Sequence, residues 1–205
     1  MKIQMTALLL TAFVSSLVSV GALAAATPGE TAPAFEAQTA SGKTVKLSDE
    51  AGKWVVLEWS NKDCPFVKKH YGSGNMQKLQ AKYTAKGVKW FTVLSSAKDK
   101  QGYLDAAGAL ANAKTTQAHP TEILLDSSGT IGKAYGAKTT PHMFVINPEG
   151  KVVYAGAIDD NDSSDPKVIA KSKNYVAAAL DSGMAGRSIA TTSTQSYGCG
   201  VKYSE

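Results

Sequence analysis

Trp54-Val55-Val56-Leu57-Glu58-Trp59-Ser60-Asn61-Lys62-Asp63-Cys64-Pro65 is the stretch on which the fold turns. Its first six residues are mostly β-branched, aliphatic or aromatic, as in a short strand buried on both faces. The loop Ser60 to Asp63 then leads to Cys64-Pro65. Proline is favoured in the first turn of a helix, where its missing N–H costs nothing. A helix is therefore predicted from here to about Tyr71. A thiol at that place meets unpaired N–H groups and the positive end of the helix dipole, and both favour an anion. Such a thiol shifts toward thiolate, the form that attacks disulfides and peroxides. Lys68, four residues on, shares the thiol's helical face and Lys62 lies in the approaching loop; either adds to the effect. His70 points to another face. By spacing alone, the same residues also fit an inert, half-buried cysteine or one half of a structural disulfide.

Outward from this stretch the chain alternates strands and helices. Upstream, Pro33-Ala34-Phe35 and Thr44 to Leu47 read as a hairpin turning at Ser41-Gly42. Downstream, Gly72-Ser73-Gly74 breaks the first helix, and Asn75 is placed to cap a second one to about Ala85, with Met76, Leu79 and Tyr83 inward. Val88 to Ser95 reads as a strand, Lys100 to Ala113 as a helix and Thr121 to Leu125 as a strand. Ile131 to Tyr135 follows as a short helix. Met143 to Ile146 and Lys151 to Ala155 make a hairpin about Asn147-Pro148-Glu149-Gly150. A last helix, Pro166 to Leu180, is expected to bury Ile169, Val176 and Leu180. This order predicts an α/β domain, a mixed central sheet flanked by helices with an N-terminal hairpin extension.

Residues 1–26 carry Lys2, an apolar run from Ala7 to Val20, and Ala22-Leu23-Ala24-Ala25-Ala26. A positive start, a short apolar core and a small-residue cleavage site read as a secretory signal peptide. The expected organisation is thus a signal peptide at 1–26, one domain at 27–185 and a polar tail at 186–205 carrying Cys199. That implies an exported protein, with the bacterial periplasm as its compartment, and no membrane attachment after signal removal. The net charge of +5 is spread over scattered lysines with no basic-aromatic interleave. Nucleic acid is therefore excluded as a partner. The only arginine is Arg187.

Cys64 and Cys199 are the only cysteines. In an oxidising compartment such a pair is read first as a disulfide, which across so long a loop could stabilise by about 5 kcal/mol. A domain of this size does not need that staple.

Thr139-Thr140-Pro141-His142-Met143 stands directly before a strand. Proline there is ordinary, so the residues alone read as a trans proline, with His142 in a loop and Met143 in the core.

With these pieces in place, Pro33 to Gly156 resembles the thioredoxin-like redoxin superfamily. It is most similar to a peroxiredoxin-like, alkyl hydroperoxide reductase-related thioredoxin-domain group. The likeness rests on Asn61 to Tyr71, Gly74-Asn75-Met76-Gln77, Tyr135-Gly136-Ala137 and Thr140-Pro141-His142-Met143. It continues through Tyr154-Ala155-Gly156, Ile158-Asp159-Asp160 and Tyr197-Gly198-Cys199-Gly200-Val201-Lys202-Tyr203. The resemblance implies a thioredoxin fold with Pro141 cis beside Cys64. It also implies that Thr140 offers its backbone to a bound partner strand and that His142 lies near the thiol. Four departures are plain. Val67 stands where thioredoxins place their second cysteine. Asn61 and Leu57 stand where peroxiredoxins carry threonine and proline, and Arg187 lies outside the matching region.

The expected function is therefore a periplasmic thiol–disulfide oxidoreductase or antioxidant. Cys64 attacks, Cys199 resolves from a flexible-looking tail, and Pro65, Lys68, Thr140, Pro141 and His142 support the site. Its partners would be protein or small-molecule thiols and disulfides, or peroxide, and it needs no cofactor. One alternative is a non-catalytic binding module with a static Cys64–Cys199 bridge. The other is a copper-binding accessory protein using Cys64, His142, Met143 and Met76. Asp159 to Asp165 resembles the opening of a calcium loop but lacks its glycine and its closing glutamate. It reads as a solvated loop.

Overall fold

A computed structural model describes residues 25–204; most of the expected signal peptide lies outside them. The N-terminal hairpin pairs β1 (Glu36–Gln38) with β2 (Thr44–Lys46), so its first strand starts just beyond Phe35. The central sheet holds β3 (Val55–Trp59), β4 (Lys89–Leu94), β5 (Glu122–Leu125), β7 (His142–Ile146) and β8 (Val152–Gly156), in the order β5-β4-β3-β7-β8. The pairs β3–β4 and β4–β5 are parallel, whereas β7 runs antiparallel to β3 and β8 to β7. All five residues of β3 are buried, as expected of a strand covered on both faces.

The alternation of β3 feeds two cores. Val55, Leu57 and Trp59 pack with Phe91, Tyr135 and Phe144 on one face. Val56 packs on the other with Met76, Tyr83, Trp90, Met143 and Leu180. The helices are α1 (Pro65–Gly72), α2 (Asn75–Thr84), α3 (Ala106–Thr116), α4 (Thr130–Tyr135) and α5 (Tyr175–Gly183). Met76, Leu79 and Tyr83 are inward on α2, as their spacing predicts.

Several boundaries depart from the sequence expectation, each for a local reason. Asn75 does not cap α2. Gly74 holds the cap in a left-handed conformation, and the Asn75 amide instead donates to Nδ1 of His70 at 2.8 Å. The helix expected from Lys100 begins at Ala106, where Asp105 accepts from the Gly108 N–H. The expected last helix is two pieces, a 3₁₀ segment at Pro166–Lys171 and α5. Between them Asn174 caps α5 through the Ala177 N–H, and Tyr175 N–H bonds to Ile158. Ile169 is consequently only half-buried. Two short strands complete the fold, β6 (Thr139–Thr140) and β9 (Cys199–Gly200), paired antiparallel.

Candidate functional site

The site forms where β3 ends and β7 begins. Antiparallel register sets Trp59 opposite His142, so the residues before β7 lie beside the loop that follows β3. Asn61 shapes that loop. Its carbonyl accepts from the Cys64 N–H at 3.0 Å and its Oδ1 accepts from the Asp63 N–H at 2.9 Å. Its amide donates to the Gln101 carbonyl at 3.2 Å. This small turn delivers Cys64 as the N-cap of α1 with Pro65 as the first helical residue. Opposite, the Thr140–Pro141 peptide bond is cis, against the trans reading of the residues alone and as the resemblance implies. The protonated Cys64 thiol donates to the Thr140 carbonyl at 2.9 Å.

Cys199 completes the arrangement. It is the partner of Thr140 in the β6–β9 ladder, and both cysteines are free thiols. Burial pushes the Cys64 thiol up. Hydrogen bonds from the Cys199 thiol, the Val67 N–H, the Cys199 N–H and Thr140 outweigh that cost and hold it below its ordinary value. The opposite applies to Cys199, which burial and its bond to the Cys64 sulfur push up to about 11. Cys64 is thus the better thiolate and Cys199 the better proton holder.

The supporting residues are distributed differently from expectation. Lys68 is exposed, and Lys62 pairs with Asp63 at 2.9 Å; the thiol is lowered by hydrogen bonds rather than by a lysine. His142 is buried, but its Nδ1 accepts from the Lys138 N–H at 3.2 Å and its ring lies on Phe144, 4.6 Å between centroids. Among the described residues it makes no hydrogen bond to Cys64. Burial lowers it to about 4, so it is neutral near pH 7. Met76 and Met143 are core residues on the second face.

The tail is not free. Thr192 to Thr194 runs along Ala155 of β8, and the chain then crosses the site as β9. It ends with Lys202 accepting from the Ala97 N–H at 2.8 Å. Beneath Tyr197 lies a buried polar cluster. Asn75 donates to His70, His70 Nε2 bonds the Tyr197 hydroxyl at 3.2 Å, and that hydroxyl donates to Asp159. Lys69 lies 3.4 Å from Asp159 and donates to the Asn161 carbonyl at 2.7 Å. Asp159 is 2% exposed, so the acidic segment is not wholly the solvated loop its composition suggests.

A second buried acid, Glu58, accepts from the Tyr71 hydroxyl at 2.7 Å, Trp90 Nε1 at 2.8 Å and Gln80 Nε2 at 3.0 Å. Burial raises it to about 6 against those bonds. An acid inside an apolar strand was its sequence signal. Asn61, Lys69, Asp159 and Tyr197 carried no signal of comparable strength.

The fold and the cis-proline–thiol site define a thioredoxin-like protein. Residues 28–155 match the AhpC/TSA family, and the chain belongs to that family. It is similar to the thiol-disulfide oxidoreductase ResA of Bacillus subtilis, with 29% identity over 61% of this chain and 64% of ResA. The chain therefore spans less than two thirds of that relative. An uncharacterized conserved protein from Geobacillus kaustophilus superposes with a TM-score of 0.75 at 26% identity, over 86% of this chain and 92% of that one. The thioredoxin domain of a thiol-disulfide oxidoreductase from Bacteroides vulgatus shares the fold, with a TM-score of 0.52 at 20% identity. That likeness covers 71% of this chain and 96% of the domain.

Proposed function

We propose that this protein is an exported thiol–disulfide oxidoreductase in which Cys64 is the attacking thiolate and Cys199 the resolving thiol. The observation that carries the reading is the seating of Cys199 in register with Thr140, the residue whose carbonyl accepts from the Cys64 thiol at 2.9 Å. Cys64 attacks one sulfur of a substrate disulfide; that S–S bond breaks, and the second substrate sulfur leaves as a thiol. Cys199, deprotonated as it attacks, then displaces the first substrate sulfur from Cys64. Two substrate thiols are released and a Cys64–Cys199 disulfide remains, to be reduced by an external dithiol. Similarity to ResA and the Lys2-led apolar N-terminus support a redox role in an exported, periplasmic setting.

Family membership supports a second use of the same thiol. Peroxide would oxidise Cys64 to a sulfenic acid with release of water or alcohol, and Cys199 would condense with it, releasing water. Arg187, which donates to the Asp181 carbonyl at the end of α5, has no part in that step.

The test measures reduction of a disulfide-bonded model peptide in the presence of dithiothreitol. Cys64→Ser should abolish the protein-dependent rate, and Cys199→Ser, mixed with the peptide without dithiothreitol, should accumulate a mixed disulfide visible by mass spectrometry. Undiminished turnover in Cys64→Ser would overturn the assignment. Two free thiols under oxidising conditions would remove the resolving role of Cys199.

A further inference from the structure

Cys64 is 0% exposed, and the tail pairs with Thr140, the residue whose carbonyl accepts from its thiol. An external disulfide can therefore meet this thiol only after β9 has left β6. Leaving exposes a strand edge, with its unpaired backbone groups, that another extended chain can satisfy. The resident tail shows what such a chain has to look like.

Gly198 sits at φ +130°, and a Cβ added there would fall 2.1 Å from the Thr140 carbonyl oxygen. Only glycine fits immediately before the cysteine. Tyr197 fills a prepared pocket: its ring lies 5.7 Å from that of Phe66, Lys69 Nζ lies 5.3 Å from its centroid, and its hydroxyl joins His70 and Asp159. Without an aromatic hydroxyl there, Asp159 loses a donor in a buried place. At the other end, Tyr203 donates to the Ala137 carbonyl at 2.8 Å. Its ring rests on Gly129 and Gly132, where Cβ atoms would come within 2.5 and 2.3 Å.

The geometry points to a peptide-recognition surface made of the β6 edge, the Phe66–Lys69–His70–Asp159 pocket and the first turn of α4. It takes an extended segment of the pattern tyrosine–glycine–cysteine, with a second tyrosine four residues after the cysteine. The chain's own tail is its resident occupant, and cysteine-bearing segments of substrate proteins compete with it. The inference rests on Cys64 being the attacking thiolate and adds which disulfide-bearing segments reach it.

The experiment uses the full chain carrying Gly198→Val, which forces its own tail off β6. The probe is a fluorescein-labelled peptide with the sequence of residues 195–205 and serine in place of Cys199, followed by fluorescence anisotropy. The variant should bind it at least about tenfold more tightly than the unmodified chain, whose edge is filled. Replacing the peptide's own glycine by valine, or its first tyrosine by alanine, should lower that affinity by about tenfold or more. Equal affinity of both proteins, or indifference to those peptide changes, would overturn the surface. If Gly198→Val does not fold, the Tyr197→Ala/Tyr203→Ala chain releases both anchors and is judged by the same criteria. A separate measurement, the rate of Cys64 with an aromatic disulfide reagent in the Cys199→Ser background, tests the underlying reading. A fast reaction with no peptide binding overturns the surface alone. An unreactive Cys64 in the tail-released chain overturns the thiolate assignment, while anisotropy still decides the surface.

Discussion

Cys199 stands directly across the β6–β9 ladder from Thr140, so the residue that accepts the Cys64 thiol proton also anchors the strand carrying the second thiol. One backbone pair thus sets the separation of two cysteines that lie far apart in the chain. The first consequence is a pH profile. Cys64 is lowered in part by the Cys199 thiol, so alkylation of Cys64 should become half-maximal below the ordinary thiol value of 9.0. In Cys199→Ala the midpoint should move upward. An unchanged midpoint would show that the thiol–thiol hydrogen bond contributes nothing.

The buried acid Glu58 holds three side-chain donors together from α1, α2 and β4. Glu58→Ala leaves the Tyr71 hydroxyl and Trp90 Nε1 without an acceptor and Gln80 Nε2 with only the Tyr71 hydroxyl, and should destabilise the fold by about 3 kcal/mol. Glu58→Gln, which keeps an acceptor, should cost less. Urea midpoints with unchanged slopes would check this ordering, and equal losses in both variants would contradict it.

His70 and His142 are each held at about 4, His70 mainly by burial against the opposing pull of Asp159, and His142 by burial and Lys138. The unfolded chain takes up these protons near 6.5, the folded chain only near 4. Stability from this source is therefore present above pH 6.5 and lost as pH falls through 4, by about 3 kcal/mol for each ring. Glu58, raised to about 6, acts with the opposite sign: its contribution is present below 4.5 and lost as pH rises through 6. The net acid loss is accordingly smaller than the histidine sum. Imidazole NMR signals assigned to His70 or His142 that titrate near 6.5 in the folded protein would refute the assignment.

Lys69, fully buried, depends on Asp159 as its counter-charge. Asp159→Ala should destabilise by about 3 kcal/mol, because it strands the ammonium and removes the acceptor of Tyr197. Lys69→Met in the same background should recover part of that loss. A double variant no more stable than Asp159→Ala, measured by urea unfolding, would argue against a stranded charge.

Local sequence determined much of the scaffold. The apolar, β-branched run at Val55 and Val56, the proline after Cys64 and the inward spacing of Met76, Leu79 and Tyr83 act within one strand or a few helical turns. The corresponding elements form where those patterns place them. The thiol at a helix start was legible for the same reason. Tertiary structure alone decided three things. The cis state of Pro141 is implied by the family resemblance but is not legible in the residues around it, which by themselves read as trans. The source of the Cys64 shift proved to be Cys199 and backbone N–H groups, because Lys62 finds Asp63 and Lys68 faces water. The tail, polar and glycine-flanked, reads as loose, yet its backbone groups pair with β6 and β8 and its tyrosines find pockets assembled from α1, α4 and the Asp159 loop. Those pockets are built from residues distant in the chain, so short-range pattern carries no record of them.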